Sequence, residues 1–224
     1  MAKKMFKYVG VVLLALALIV LNPIIWLVGT VVFNNIIAPV TVEMSTNIED
    51  YDKYLSETRH ASDLLPTDFN ELGEYEGIEF GYKKVLHELL LGFESEGIAL
   101  FVKYGDNYEA EKERVLNKYT YLEDNSDSYI ESQFPLTCYD YGGYEMRIVP
   151  DWAYSQKYDC RICCQEFLTI GTNDKEKTIA YLFYYDSDID YLYNDEQNTS
   201  KQDTMDKFIS LSFIWYDFDQ CKWK

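Results

Sequence analysis

An uncharged run of 25 residues, from Val9 to Phe33, constrains this chain more than any other feature of its sequence. The run is dominated by Val, Leu, Ile and Ala. As a helix rising about 1.5 Å per residue it is longer than the roughly 30 Å hydrocarbon core of a bilayer. A cleaved secretory signal has a shorter apolar run and ends at a small-x-small site, whereas Ala15 and Ala17 lie in the middle of this one. The sequence therefore predicts a retained transmembrane signal-anchor helix over 9–33, with a cleaved signal and a buried soluble helix as the alternatives.

The charge of the chain divides sharply at this run. Three lysines precede it and no acidic residue occurs before Glu43, so residues 1–40 contribute +3 to a net charge of −18 and the rest of the chain carries −21. Because short flanks rich in lysine stay on the cytoplasmic side of a membrane, we expect a cytoplasmic amino terminus and an acidic part outside the cytoplasm. Nucleic acids are bound through clustered Lys and Arg, so this excess of carboxylates excludes them as partners.

A single domain is expected beyond the anchor. The residues after position 40 are enough for one hydrophobic core, and no internal repeat or flexible linker divides them. The chain is therefore predicted to be a single-pass protein of the cell membrane with four parts. These are a cytoplasmic basic stub (1–8), a transmembrane helix (9–33), a connector (34–45) and an extracytoplasmic acidic domain (46–224).

Strands are indicated wherever apolar residues alternate with polar ones. This pattern predicts strands over 78–82, 98–104 and 144–149, and a hairpin that pairs 166–171 with 177–185. Residues 179–185 are apolar or aromatic on both faces, which is typical of a central strand that is covered on each side.

Helical signals are fewer. A capping-box pattern, a hydroxyl cap followed three residues later by Glu, opens a short helix over 46–59, and apolar residues at helical spacing indicate another over 107–119. Segment 204–216 fits both a helix and a strand, and the helix is favoured. Region 61–76 is expected to be a surface loop. Strands and isolated helices in irregular order predict an α+β fold, with a mostly antiparallel sheet and two or three helices after the anchor.

Three of the five cysteines are clustered, and they are Cys160, Cys163 and Cys164. A C-x-x-C pair is typical of redox dithiols, but such a pair stands at a helix start, and this one leads into a strand pattern. Zinc would need a second pair of ligands at similar spacing. Structural disulfides in an oxidising exterior, or small buried thiols on one strand face, are the favoured interpretations.

One acidic pattern suggests a metal. Asp186, Asp188 and Asp190 form D-x-D-x-D, which supplies the oxygen ligands that Ca²⁺ prefers. An EF-hand is excluded, because Tyr191 stands where the loop needs Gly and Gln197 where it needs Glu. A solvated strand end is the favoured interpretation, so no cofactor is predicted and Ca²⁺ is kept as the alternative.

Catalytic motifs are scarce in this sequence. It contains only His60 and His87, which excludes a three-histidine metal site, and it lacks the nucleophile elbow, the phosphate-binding loop and the dinucleotide-binding turn. Paired carboxylates for hydrolysis depend on distances that spacing does not give. No catalytic residue is therefore predicted, and an enzyme is not the favoured class.

Tyrosine is unusually frequent, with 21 residues, many beside acids. Because a tyrosine packs an apolar ring and keeps a hydroxyl for a partner, it suits binding surfaces. The favoured function is accordingly a non-catalytic binding or accessory module with an unknown protein partner. An extracytoplasmic hydrolase or thiol-dependent enzyme and a self-associating envelope protein are the alternatives. The predicted binding surface consists of Tyr139, Tyr141, Tyr184, Tyr191 and Tyr193.

Overall fold

The computed structural model describes residues 22–23, 26–29, 40–87, 93–121, 138–150, 166–187, 201–218, 220 and 222–224. They belong to two compact units, Met1–Val40 with Leu86–Phe93, and Thr41–Val85 with Glu94–Lys224. In the first unit, residues 22–23 and 26–29 are helical. The basic stub 1–8 and most of the anchor expected over 9–33 lie outside the described residues. Among those described, no helix is both long and apolar enough to cross a membrane.

A seven-stranded antiparallel sheet dominates the fold, with the spatial order β1-β2-β3-β7-β6-β5-β4. A separate two-stranded sheet is formed by β8 and β9. The strands are β1 (Val40–Ser45), β2 (Gly77–His87), β3 (Phe93–Lys103), β4 (Cys138–Tyr141), β5 (Tyr144–Pro150), β6 (Glu166–Asn173), β7 (Thr178–Asp186), β8 (Tyr216–Asp217) and β9 (Lys222–Trp223). The helices are α1 (Tyr51–Glu57), α2 (Ala61–Leu64), α3 (Tyr108–Lys118) and α4 (Lys201–Ser212), with 3₁₀ turns at Ile48–Asp50 and Phe69–Leu72.

Strand order follows chain order except at one place, where β3 pairs with β7 and joins two meanders into one sheet. The β4–β5 turn is Gly142-Gly143, and both residues have positive φ, 56° and 78°. Two consecutive positive-φ residues are what a tight two-residue hairpin needs, because their twist matches that of the flanking strands. This turn sets Tyr141 opposite Tyr144.

Two hydrophobic layers cover the sheet. Because side chains alternate along a strand, we call face A the side that carries Tyr82, Ile98 and Leu100, and face B the side that carries Phe101 and Leu182. Helices α1, α2 and α3 pack on face A through buried residues that include Tyr51, Leu55, Ala61, Tyr108 and Val115. Face B is covered by α4 and the β8–β9 hairpin through Met205, Ile209, Trp215, Tyr216 and Trp223.

The sheet confirms most of the strand predictions. Every residue of β6 and of β7 is buried, as expected for central strands covered on both sides. The mostly antiparallel sheet with a few helices is also confirmed, but the described residues contain four α-helices instead of the two or three expected after the anchor. Of the connector predicted over 34–45, residues 34–39 lie outside the described residues, and the remainder forms β1 (Val40–Ser45), an edge strand of the sheet.

The helical predictions need two corrections. The loop expected over 61–76 contains α2 and a 3₁₀ turn, because Ala61, Leu65 and Leu72 fill the core beneath face A. The amino-terminal cap of the first helical segment is Asn47, whose side chain accepts a hydrogen bond from the backbone of Glu49. Segment 204–216 is helical through Ser212, as favoured, and turns into β8 at its end.

Candidate functional site

A cleft of about 310 Å³ opens on face B, at the end of the sheet where β2 begins and β3 ends. This volume is at the lower end of the range of small-molecule sites, which is about 300–1,000 Å³. We call it the aromatic cleft. Its lining residues are Gly77, Ile78, Glu79, Phe101, Lys103, Tyr144, Glu176, Thr178 and Tyr216.

Three aromatic side chains form the floor of the aromatic cleft. Phe101, Tyr144 and Tyr216 are each at most 4% exposed. The rings of Phe101 and Tyr216 stack with centroids 4.2 Å apart and planes at 18°, and Tyr144 meets Phe101 edge to face at 6.1 Å. Phe218 closes the group by edge contacts with all three rings. Interlocked rings of this kind give a rigid, apolar floor.

The floor residues come from three separate parts of the chain. Phe101 follows from the alternation of β3, and Tyr144 stands directly after the Gly142-Gly143 turn. Tyr216 is placed by the tight turn after α4, in which the Tyr216 amide donates a hydrogen bond to the carbonyl of Phe213. The local sequence therefore determines the direction of each ring, and the sheet and the β8–β9 hairpin bring the three rings together.

Charged side chains surround the opening of the aromatic cleft. Glu79, Lys103 and Glu176 are exposed, and within the described residues the side chains of Glu79 and Lys103 make neither an ion pair nor a hydrogen bond. Glu176 pairs with Lys175 at 3.1 Å across an exposed turn, a contact that contributes little to stability. The rim thus offers an ammonium group and two carboxylates to a bound molecule, next to an apolar floor.

A tryptophan pair packs against one residue of the cleft floor. The indoles of Trp215 and Trp223 stack with centroids 5.3 Å apart and planes at 10°. They lie directly over Gly81, where an added Cβ would stand 2.6 Å from Cζ3 of Trp215 and closer still to Trp223. Only glycine leaves room for this approach. Because Trp223 also contacts the Tyr216 ring at 4.6 Å, the pair fixes the position of one floor residue.

A second polar group lies on face A, towards the opposite end of the sheet. Glu96 of β3 and Glu166 of β6 both stand opposite Tyr185 of β7, so the three side chains form one row across the sheet. Both carboxylates are buried, at 3% and 4% exposure. Lys84 contacts Glu96 at 2.6 Å, and the hydroxyl of Tyr82 donates to the same carboxylate at 3.3 Å.

Arg59 covers the centre of this carboxylate row. Its guanidinium lies 5.2 Å from the centroid of the Tyr185 ring and donates to the Tyr185 hydroxyl at 3.5 Å. Burial raises the pKa of Tyr185, and the positive charge of Arg59 opposes that shift. Two cations thus lie beside the row, as buried carboxylates require. Because Glu96 and Glu166 are screened from water, the row is better suited to holding the strands together than to meeting a substrate.

The structure corrects the predicted tyrosine surface. Tyr139 and Tyr184 are buried core residues, 4% and 7% exposed, and pack in the layer on face B. Tyr141 is partly buried against Phe218, at 5.1 Å. Tyr191 and Tyr193 lie outside the described residues. The tyrosines that can be placed therefore supply core packing, because strand alternation turns them inward.

The predicted cation and cysteine sites fall largely outside the described residues. Asp186 is 1% exposed and accepts a hydrogen bond from the Tyr184 hydroxyl at 2.9 Å, so it is not the solvated strand end that the sequence favoured. Asp188 and Asp190 are not described, nor are Cys160, Cys163 and Cys164. Within the described part of the chain, no group of three His, Cys, Asp or Glu residues is arranged to hold a metal ion.

Neither the carboxylate row nor the aromatic cleft was predicted from the sequence. The carboxylate row had a signal, because Glu96 continues the alternation of Ile98 and Leu100, and Glu166 that of Leu168 and Ile170. An acid in register with a buried apolar face is expected to point inward. The aromatic cleft had no such signal, since its residues are far apart in the chain.

Comparison with known proteins adds no assignment. No protein-family model matches the chain, and neither curated proteins nor solved structures contain a significant match.

Proposed function

We propose that this protein is a single-pass membrane-anchored binding module, whose acidic domain lies outside the cytoplasm and receives a cationic peptide or protein segment in the aromatic cleft. The observation that carries the proposal is the rim of the cleft. Two carboxylates and an ammonium group stand at the edge of a preformed aromatic floor, and two of these three groups have no partner within the described residues.

The net charge of the domain supports a cationic ligand. Residues 41–224 carry −21, so the potential around the domain attracts positive groups and speeds their encounter. At the rim itself the carboxylates of Glu79 and Glu176 outnumber the ammonium of Lys103. A segment with basic and apolar side chains would place its cations on the two glutamates and its apolar groups on the aromatic floor.

The position of the cleft supports presentation to a partner. Glu43 of β1 accepts a hydrogen bond from Tyr54 at 3.0 Å, and the Tyr54 ring stacks on Tyr82 at 3.8 Å, which places β1 beside the middle of β2. Glu79 and Gly77 precede Tyr82 in β2 by three and five residues, or roughly 10–17 Å at about 3.3 Å per residue. The cleft is thus displaced along the strands from β1, the first strand after the proposed anchor.

The described carboxylates favour binding over hydrolysis. Glu79 and Glu176 are exposed, whereas a carboxyl that donates a proton in glycoside hydrolysis stands in an apolar environment. Glu96 and Glu166 are buried, but they belong to the carboxylate row on face A and do not line the cleft with their side chains. The proposal is therefore a binding function without catalysis.

Fluorescence anisotropy with the full chain in lipid nanodiscs tests the binding proposal. The probe is a labelled peptide that alternates Lys with Leu and Phe, compared with the same peptide carrying Glu in place of Lys. We expect the cationic peptide to bind and Glu79→Gln with Glu176→Gln to weaken it about three- to tenfold. Asp52→Asn, which removes an exposed acid on α1, is the control and should weaken it less than twofold.

Two outcomes would refute the binding proposal. Equal losses per carboxylate removed, two in the cleft variant and one in Asp52→Asn, would show that only the overall charge matters, and preference for the anionic peptide would contradict the charge argument. The topology is tested separately by protease treatment of intact cells. The acidic domain should be digested without lysis, and digestion only after lysis would overturn an extracytoplasmic location.

A further inference from the structure

Four large apolar side chains are exposed on one side of the fold. Val42 and Met44 of β1 are 51% and 47% exposed, and Leu211 and Ile214, at and after the end of α4, are 45% and 54% exposed. Scattered exposed apolar residues are ordinary, but a contiguous apolar patch marks a contact with another molecule or with a membrane.

The two strand residues face the same side as the helix-end residues. Glu43 points to face A, where it contacts Tyr54, so its neighbours Val42 and Met44 point to face B. Leu211 and Ile214 lie over face B as well, where they line a small groove with Lys83 and Val85 of β2. Since β1 is the neighbour of β2 and both pairs of side chains lie on face B, we group the four exposed side chains and this groove under one name, the apolar edge.

One ammonium group belongs to the apolar edge. The side chain of Lys83 is partly buried and makes no ion pair or hydrogen bond within the described residues. Apolar side chains around one lysine are the combination found at bilayer interfaces, where the stem lies among acyl chains and the charge reaches a lipid phosphate.

The length of the preceding chain limits how far the apolar edge can stand from a membrane. Six residues separate Phe33, the end of the apolar run, from Val40, where β1 begins. Fully extended, the seven steps from Phe33 to Val40 span at most about 25 Å. If the run crosses a bilayer as proposed, β1 is held within reach of the headgroups, and its exposed apolar residues face lipid or a second protein.

We propose that the apolar edge rests on the outer leaflet of the membrane, with Lys83 at the lipid phosphates, which fixes the orientation of the domain above its anchor. The inference depends on the anchor of the proposed function. Lipid is favoured over a second copy of this chain, because two domains of net charge −21 that meet at this edge would repel each other and bring two Lys83 ammonium groups together. The repulsion also predicts contact with zwitterionic rather than anionic lipid.

Photo-crosslinking of the full chain in lipid nanodiscs tests this orientation. A benzoylphenylalanine is introduced in place of Val42, Ile214 or, as a control at the aromatic cleft, Glu79. Nanodiscs contain either phosphatidylcholine alone or phosphatidylcholine mixed with phosphatidylglycerol, whose negative charge makes the surface anionic. After irradiation, intact-mass spectrometry identifies a lipid adduct by its added mass and a second copy by its doubled mass.

We expect lipid adducts at positions 42 and 214 at least fivefold above those at position 79, and more in phosphatidylcholine alone. Lys83→Gln should reduce the adducts about twofold or more without changing the melting temperature. A doubled mass at positions 42 and 214 would show self-association and refute the lipid contact. Equal lipid adducts at all three positions would refute the proposed orientation. Resistance to alkaline extraction is measured in parallel. Loss of the chain on extraction refutes the anchor itself, whereas a retained chain without adducts refutes only the contact.

Discussion

The contact between Gly81 and the tryptophan pair gives the sharpest prediction about stability. Normal contacts begin near 3.4 Å, so a Cβ at position 81, 2.6 Å from Trp215 and closer to Trp223, forces both rings to move by about 1 Å. The two indoles are packed against each other, and Trp223 is packed against Tyr216, so the movement also disturbs this residue of the cleft floor. Such overpacking costs about 1–3 kcal/mol.

Gly81→Ala therefore has a calculable net effect. Alanine lowers the conformational entropy of the unfolded chain relative to glycine, which stabilises the folded state by about 0.4–1 kcal/mol. After this gain is subtracted from the cost of overpacking, the variant should lose about 1–2 kcal/mol of unfolding free energy. For a domain of this size that corresponds to a fall in melting temperature of roughly 2–8 °C. Thermal unfolding followed by circular dichroism measures this fall, and the affinity of the cleft should fall in the same variant because Trp223 contacts Tyr216 of the floor.

Gly77→Ala is the matched control for this prediction. Gly77 lies on the same strand and the same face, but no atom stands within 4 Å of the position that its Cβ would occupy. This variant should be unchanged or more stable by about 0.4–1 kcal/mol. In a Trp223→Leu background, part of the cost of Gly81→Ala should disappear, since the closest ring is gone and only the contact with Trp215 remains. Equal effects at the two glycines, or additivity with Trp223→Leu, would refute the explanation.

Three further predictions concern charge and packing. Lys84→Met should cost about 3 kcal/mol or more in chemical denaturation, because it leaves Glu96 buried without this cation, whereas Lys118→Met should cost less than about 1 kcal/mol; a reversed order would contradict the role of burial. Lys118 and Thr67 lower the pKa of Glu71 from 4.5 to about 2. The unfolded state therefore takes up the proton at higher pH, and this contribution to stability is present above about pH 4.5 and is lost as the pH falls towards 2. Lys118→Met should raise the pKa of Glu71, which NMR titration measures, and should therefore flatten the decline of stability at low pH. Tyr184→Ala should lose about 3–5 kcal/mol of stability as a core residue, and an unchanged melting temperature would restore the surface interpretation.

Periodicity predicted much of the sheet correctly, because a strand buried on one or both faces must repeat every two residues. The hairpin of β6 and β7 and the amphipathic α3 are examples, each visible from a short stretch of sequence. The prediction failed where short segments take their structure from distant partners. Residues 61–64 form α2 because Ala61 fills a space beneath face A, and β1 is a strand because the edge of β2 is available to it.

The proposed functional surfaces also depend partly on local sequence and partly on tertiary structure. The sequence alone determines the division of charge, +3 before position 41 and −21 after it, and the apolar run from which the anchor and its orientation are proposed. The sequence also determines which residues alternate along a strand, and this alternation is sufficient to predict that Glu96 points inward. Tertiary structure alone decided that Tyr139 and Tyr184 are buried, and that Phe101, Tyr144 and Tyr216 share one floor. The three rings are close together because distant strands pair and because Gly81 leaves room for two indoles. Pairing between residues so far apart in the chain produces no local pattern in the sequence.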